Sequence, residues 1–134
     1  MLKIILRILP LLYMALIFYL SSKPADAVVE LPKWDSTIKE SLHLVEFGIL
    51  YVLLFLAALT FKEVTPTGNI VLILVSSLYG LSDEVHQYFV PYRSATVIDL
   101  IKDVIGVLVA SWIVFGAYQK KRFPKLGILL HKIK

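Results

Sequence analysis

Four apolar stretches separated by short polar segments organise the chain. The longest uncharged runs are Ile8–Leu20, Phe47–Phe61, Ile70–Ser82 and Val104–Tyr118. Each is shorter than the roughly 20 residues that a helix needs to cross the hydrocarbon of a bilayer. Four membrane-spanning helices therefore require extension into the flanking polar residues, and the pattern predicts helices over about 3–20, 42–61, 69–89 and 98–118.

This extension carries ionisable side chains to membrane depth or to its boundary. The second predicted helix takes in His43 and Glu46, and the fourth takes in Asp99 and Asp103. The third helix takes in four polar residues, namely Asp83, Glu84, His86 and Gln87. Since a charge inside a membrane costs at least a few kcal/mol, such residues are rarely kept without a role.

The amino-acid composition also indicates an integral membrane protein. The chain has 134 residues, of which 58% are hydrophobic, and its mean hydropathy is +0.79. A water-soluble domain of this size could not bury so much apolar surface. The chain has no cysteine, which excludes disulfides, thiol catalysis and thiolate metal sites. The predicted fold is all-α, a polytopic membrane protein with a bundle of four transmembrane helices.

Basic residues predict its orientation. Lys3, Arg7 and Lys62 lie at the same side of the predicted bundle as the basic residues of segment 119–134. The positive-inside rule then places both termini in the cytoplasm and the polar cluster at the outer end. We interpret the net charge of +4 as a topology signal and expect no nucleic-acid partner. Segment 119–134 is predicted to be a basic amphipathic tail on the inner membrane surface, with a plain stop-transfer tail as the alternative.

The first apolar stretch has a second interpretation. Lys3 and Arg7, the apolar segment after them and Ala25-Asp26-Ala27 together resemble a cleavable signal peptide. The favoured interpretation is a retained helix, because Arg7 can extend its charged end to the membrane surface. Pro10 bends a membrane helix without having to end it.

Helical spacing predicts that the polar groups meet. Asp83 and Gln87 share a face of the third helix with Ser76, Tyr79 and Gly80. On the fourth helix the stripe is Asp99, Asp103, Gly106 and Ala110, and on the second it is His43 and Glu46. Arg93 is placed to cap the cluster. We expect a polar ligand site formed by His43, Glu46, Asp83, Glu84, His86, Gln87, Arg93, Asp99 and Asp103. The alternative is a hydrogen-bonded network that only holds three helices together, with Asp99 as a helix-start residue.

Several kinds of chemistry remain open for this cluster. Asp83, Glu84, His86 and Asp99 are candidates for general acid–base catalysis. A metal site is a weaker hypothesis: Asp83 and His86 have acid-x-x-His spacing, but His43 and Glu46 run in the reverse order. No cofactor or metal is assigned. A serine hydrolase and a proton-coupled carrier are disfavoured, the carrier because four short helices without broken pairs lack its architecture unless the chain dimerises.

Four sequence motifs, in order along the chain, resemble the VanZ-like family of small bacterial membrane proteins. They are Phe18-Tyr19-Leu20-Ser21-Ser22-Lys23-Pro24, His43-Leu44-Val45-Glu46-Phe47-Gly48-Ile49-Leu50, Asp83-Glu84-Val85-His86-Gln87-Tyr88-Phe89 followed by Pro91 and Arg93, and Asp99-x-x-x-Asp103-x-x-Gly106. The resemblance makes 1–118 a VanZ-like transmembrane domain. The chain departs from it at Phe47, where members often carry Tyr, at Asp103, where they often carry Asn, and at Glu40, where a basic residue is common.

The founding type of the family is associated with resistance to teicoplanin, which is a phenotype and not a mechanism. Three hypotheses are compatible with this resemblance. The working hypothesis is an envelope protein that binds a lipid-linked cell-wall precursor or a lipid-bearing glycopeptide near the outer leaflet, in contact with membrane lipids. The first alternative is an intramembrane enzyme, with or without a metal, acting on a lipid head group. The second is a structural or accessory membrane protein. Whether the chain forms a homo-oligomer is left open.

Overall fold

The structure is a computed structural model that describes residues 1–23, 35–91, 93, 95–119 and 123–133, with the backbone alone described for 35–42. Its helices are α1 (Leu2–Ser21), α2 (Asp35–Leu59), α3 (Pro66–Tyr88), α4 (Val97–Tyr118) and α5 (Pro124–His131). Within these described residues there is no β-strand. The predicted all-α class is confirmed.

Three of the predicted helices begin and end within about three residues of the observed ones. The second is different, because α2 begins at Asp35 and not near 42. The length needed to cross a membrane sets only a minimum for a helix.

Threonine side chains cap the two helices that carry most of the polar cluster. The backbone N–H of Gly68 donates to Thr65 Oγ1 at 3.1 Å at the start of α3, where Pro66 is the first helical residue. The N–H of Asp99 donates to Thr96 Oγ1 at 3.1 Å at the start of α4. Each cap satisfies one of the backbone donors that a helix start leaves free.

Helix α2 is the centre of the packing. It contacts α4 most extensively and also packs against α1 and α3. Its side chains Phe47, Leu50, Tyr51 and Phe55 are fully buried. Helices α2 and α4 approach closely at Gly106, where an added Cβ would lie only 1.9 Å from the carbonyl oxygen of Leu44. Only glycine allows this contact between the two backbones.

The outward faces of the helices are largely apolar. Leu11 and Leu12 on α1 and Leu78 on α3 are all more than 60% exposed. Helices α1 and α3 are both long and apolar enough to cross a membrane, whereas the apolar part of α2, His43–Leu59, is shorter. Two such helices suggest a membrane protein by length and composition. The number of spans and the side on which the termini lie stay predictions.

The tail forms a short helix that packs against the end of α4. An added Cβ at Gly127 would lie 2.4 Å from the carbonyl oxygen of Ala117, and Leu130 is buried. His131 stacks on Tyr118 with ring centroids 4.8 Å apart. The predicted placement of the tail on the membrane surface remains a prediction. Residues 25–27, where the alternative signal-peptide interpretation would place cleavage, lie outside the described residues, as do positions 120–122 and 134 of the tail.

Candidate functional site

Helices α2, α3 and α4 bring His43, Glu84 and Asp103 together. One nitrogen of His43 and one carboxylate oxygen each of Glu84 and Asp103 all lie within 4.8 Å of one another. His43 Nδ1 and Asp103 Oδ1 are 3.5 Å apart, a distance within the range of an ion pair but long for a hydrogen bond. A histidine and two carboxylates from three different helices therefore form the centre of the candidate site.

The polar atoms at this centre lack hydrogen-bond partners. Asp103 is 0% exposed, and neither of its carboxylate oxygens has a partner among the described residues. Glu84 Oε1 and His43 Nδ1 are likewise buried and unpaired within the described chain. Buried polar atoms are nearly always hydrogen-bonded, because leaving one unpaired costs free energy. Their concentration in one place makes this centre the candidate functional site.

Glu84 is held from the opposite side. Its Oε2 accepts a hydrogen bond from the backbone N–H of Thr96 at 3.2 Å. Since Thr96 is the N-cap of α4, the carboxylate of α3 is anchored to the start of the neighbouring helix. This leaves Glu84 Oε1 as the atom available to the site.

Asp83 belongs to a separate chain of hydrogen bonds. Gln87 Nε2 donates to Asp83 Oδ2 at 2.6 Å, and Arg93 donates to Gln87 Oε1 at 3.0 Å. The guanidinium also donates to the carbonyl oxygens of Leu20 at 2.8 Å and Lys23 at 3.1 Å. Arg93 thus joins the C-terminal end of α1 to α3. The part that it plays toward an anionic ligand stays a prediction.

His86 lies between α1 and α3, apart from His43. Its Nε2 is 2.9 Å from Ser22 Oγ, and its ring stacks on Phe18 with centroids 4.5 Å apart. Asp83 and His86 have acid-x-x-His spacing, but their side chains do not point to one site. Asp83 is hydrogen-bonded to Gln87, whereas His86 contacts Phe18 and Ser22 at the end of α1. The metal hypothesis based on that spacing lacks support in the geometry.

Asp99 and Glu46 lie at the margins of the cluster. Asp99 Oδ2 accepts from Thr96 Oγ1 at 2.6 Å, and Lys102 Nζ is 3.4 Å from its other oxygen. Asp99 therefore has the surroundings of a helix-start residue.

Glu46 is close enough to His43 for electrostatic interaction. Of the predicted residues, the structure brings His43, Glu84 and Asp103 together and links Asp83, Gln87 and Arg93 in a second group. Glu46 and Asp99 border the first group, and Asp99 is close enough to Glu84 and Asp103 for electrostatic interaction. His86 contacts α1 instead.

An apolar groove borders the cluster. It has a volume of about 300 Å³ and runs between the end of α3 and the start of α4. Its walls are Leu81, Val85, Tyr88, Phe89, Ala95, Thr96, Val97 and Leu100, and Glu84 also lines it. Glu84 is thus shared between the apolar groove and the polar centre.

Sequence reasoning missed several residues that shape the site. Phe18 and Ser22, which contact His86, stand in the first of the four quoted motifs, and that motif was the available signal. Thr96 could have been found as an N-cap, because it stands three residues before Asp99. A second polar network, in which Tyr51 donates to Asn69 and Asn69 donates to Ser111 at 3.1 Å, was also missed. In the sequence, this network was indicated only by Asn69, which stands directly before the apolar run Ile70–Ser82.

Comparisons with known proteins place these motifs in one family. Searches of curated proteins and of solved structures gave no match. The VanZ/LLP1 family matches residues 6–118, which include α1 from its second turn, all of α2 and α3, and α4 to its end. The match also includes every residue of the candidate site. Since it spans most of the 134 residues, the chain belongs to the VanZ/LLP1 family.

Proposed function

We propose that this VanZ/LLP1 protein is a multi-pass protein of the bacterial plasma membrane whose helices α1 to α4 all span the bilayer. The exposed apolar faces of α1 and α3 support this topology, since they need a lipid environment. Lys3, Arg7 and Lys62 support a cytoplasmic N-terminus. In this orientation His43, Glu84, Arg93 and Asp103 lie toward the outer leaflet.

The function proposed is binding of a lipid-bearing ligand at this outer end. The observation that carries the proposal is the position of Glu84, which lines the apolar groove and also belongs to the polar centre. A ligand with an apolar chain and a polar head needs both surfaces side by side. Binding pockets for small molecules combine mostly apolar walls with a few convergent polar groups in the same way.

Each part of the site has a specific partner in such a ligand. The acyl chain lies along Val85, Tyr88 and Val97 in the groove. Glu84 Oε1, which has no partner among the described residues, accepts a hydrogen bond from a hydroxyl or amide of the head. Among the described residues Arg93 donates to three acceptors, and its planar fork of N–H donors suits a phosphate or carboxylate.

Two ligand classes have this chemistry, namely a lipid-linked cell-wall precursor and a lipid-bearing glycopeptide. By its membership of the family, the chain is proposed to contribute to teicoplanin resistance. Capture of the lipid-bearing antibiotic and protection of the precursor would both act at the outer surface. Capture predicts protection against teicoplanin and little against vancomycin, which lacks the lipid, whereas protection of the precursor predicts protection against both.

Susceptibility to the two antibiotics tests this function. Three strains of a sensitive bacterium express the wild-type chain, the Val85→Trp variant or the Leu78→Trp variant, at matched protein levels in the membrane. Val85 lines the groove, whereas Leu78 is an exposed residue of the same helix outside it. We expect protection against teicoplanin from the wild type and Leu78→Trp, and its loss in Val85→Trp. Equal protection by both variants would contradict a role for the groove, and no protection by the wild type would remove the resistance role.

The polar centre also supports a second candidate, an intramembrane enzyme acting on a lipid head group. The observation in its favour is His43 beside the fully buried carboxylate of Asp103, an arrangement suited to proton transfer. Its test is lipid profiling of cells expressing the wild type or His43→Ala. An altered lipid species that disappears with the variant at equal protein level supports the enzyme. A drop in protein level alone supports an accessory, structural role.

A further inference from the structure

The charge balance at the polar centre is incomplete. Glu84 and Asp103 are two carboxylates, 6% and 0% exposed, and the neighbouring basic group at the centre is the imidazole of His43. Burial of a carboxylate requires compensation by an opposite charge and by hydrogen bonds. A protonated His43 supplies one positive charge for two negative ones. Both Asp103 oxygens and Glu84 Oε1 have no hydrogen-bond partner among the described residues.

We propose that His43, Glu84 and Asp103 bind a divalent transition-metal ion, with Zn²⁺ as the best fit. One ion would neutralise both carboxylates and give partners to the unpaired atoms of all three residues. The inference does not rest on ligand binding in the groove, since metal binding is measured on the protein alone.

The donor set selects the class of metal. Imidazole nitrogen with carboxylate oxygen suits Zn²⁺ and its neighbours, whereas Mg²⁺ and Ca²⁺ prefer oxygen ligands only. Three protein ligands are also the number found in zinc sites that keep a fourth position for water or substrate. This fourth position would lie next to the end of the apolar groove, because Glu84 lines the groove and is also one of the three proposed metal ligands.

The observed spacing allows the ion to bind after a small adjustment. The donor atoms lie within 4.8 Å of one another, and bonds of about 2.0–2.2 Å to one zinc ion require neighbouring ligands roughly 3.4 Å apart. Glu84 has the flexible side chain that closes this difference. Its Oε2 is already held by Thr96 N–H, the kind of outer hydrogen bond that orients a metal-binding carboxylate.

The first test is Zn²⁺ binding by the full chain purified in detergent and stripped with a chelator. Isothermal titration with Zn²⁺, and separately with Mg²⁺, gives the affinity, and elemental analysis after dialysis gives the stoichiometry. We expect about one Zn²⁺ per chain and much weaker binding of Mg²⁺. X-ray absorption should show nitrogen and oxygen ligands only. A wild-type chain that retains no Zn²⁺ would overturn the proposal.

Matched variants locate the ion. Asp103→Asn is compared with Asp99→Asn, an acid one turn earlier on α4, and His43→Ala with His86→Ala, the histidine that faces α1. We expect Asp103→Asn and His43→Ala to weaken Zn²⁺ binding at least about tenfold, which is the cost of losing even an outer partner of a metal ligand. Asp99→Asn and His86→Ala should bind as the wild type does. Equal loss in both members of a pair, or in neither, would contradict this site.

Glu84→Gln provides an independent check where Asp103→Asn does not yield folded protein. The amide keeps the shape of the side chain and its oxygen can still accept from Thr96, but the charge is lost. Weaker Zn²⁺ binding by this variant, at an unchanged elution volume on size exclusion, supports the site. Unchanged affinity would overturn it.

Discussion

His43 Nδ1 lies 3.5 Å from Asp103 Oδ1 because the backbones of α2 and α4 touch one turn away. Leu44 follows His43 directly, and its carbonyl oxygen lies where a Cβ of residue 106 would be. Gly106 is three residues after Asp103, on the same face of α4. The absence of a side chain at one position therefore sets the distance between two polar side chains at the candidate site.

Gly106→Ala should separate these helices. The added methyl would meet the Leu44 carbonyl at 1.9 Å, so that α2 must move away from α4. We expect the free energy of unfolding to fall by about 1–3 kcal/mol or more, as for other overpacked interiors. Thermal melting of the purified protein, followed by size exclusion, measures the change.

Gly68→Ala is the matched control. An added Cβ there meets its nearest atom, Thr65 Oγ1, at 3.4 Å, which is ordinary contact. Alanine is favoured over glycine in a helix by up to about 1 kcal/mol, so the variant should melt at or above the wild-type temperature. If both variants melt together, the close approach at Gly106 does not limit stability.

The number of long helices and the buried face of α3 were predictable from the apolar runs in the sequence. Helix periodicity and membrane length place the polar residues of α3 on one face, where Ser76, Gly80, Asp83 and Gln87 are indeed buried. The start of α2 was not predictable in this way, because span length sets no upper limit on a helix. Nor could spacing along α3 show that His86 faces α1, since the rotation of a helix depends on what its neighbours offer.

Arg93 and Gln87 should be energetically coupled. Arg93 donates to Gln87 Oε1 at 3.0 Å, and Gln87 in turn donates to buried Asp83. The cycle of Arg93→Ala, Gln87→Ala and the double variant should show a coupling of roughly 0.5–3 kcal/mol in unfolding free energy, the range for residues in one network. Chemical denaturation in detergent gives the four values.

Arg93→Ala combined with Ser111→Ala is the control for that cycle. Ser111 bonds to Asn69 in the separate network of α3 and α4. The two effects should add within about 0.5 kcal/mol, because the sites share no partner. Additivity in the Arg93–Gln87 cycle as well would argue against the hydrogen-bonded chain from Asp83 to Arg93.

Tyr51→Phe should destabilise the protein more than Tyr13→Phe does. Tyr51 is fully buried and donates to Asn69, whereas Tyr13 makes a longer bond of 3.3 Å to the Glu46 carbonyl. Hydrogen bonds inside membrane proteins contribute about 0.6 kcal/mol on average and up to about 1.7. Tyr51→Phe should approach the upper value in the same denaturation assay. The reverse order would contradict a stabilising role for the Asn69 network.

The proposed topology predicts opposite sides of the membrane for the first turn of α3 and for the segment just before α4. The chain has no cysteine, so Thr67→Cys and Ala95→Cys each introduce a single thiol. A membrane-impermeant maleimide added to intact cells should label Ala95→Cys and leave Thr67→Cys unlabelled until the membrane is opened. Labelling of Thr67→Cys alone in intact cells would place the polar cluster at the cytoplasmic side.

Binding of teicoplanin by the purified chain in lipid nanodiscs tests the proposed ligand site most directly. Teicoplanin and vancomycin are titrated against the wild type, Val85→Trp and Leu78→Trp, with empty nanodiscs as the blank. Saturable binding of teicoplanin by the wild type and Leu78→Trp, weakened at least about tenfold in Val85→Trp and undetectable for vancomycin, is the expected result. Binding no stronger than to empty nanodiscs, or equal binding by Val85→Trp and the wild type, would contradict capture of a lipid-bearing glycopeptide at the groove beside Glu84.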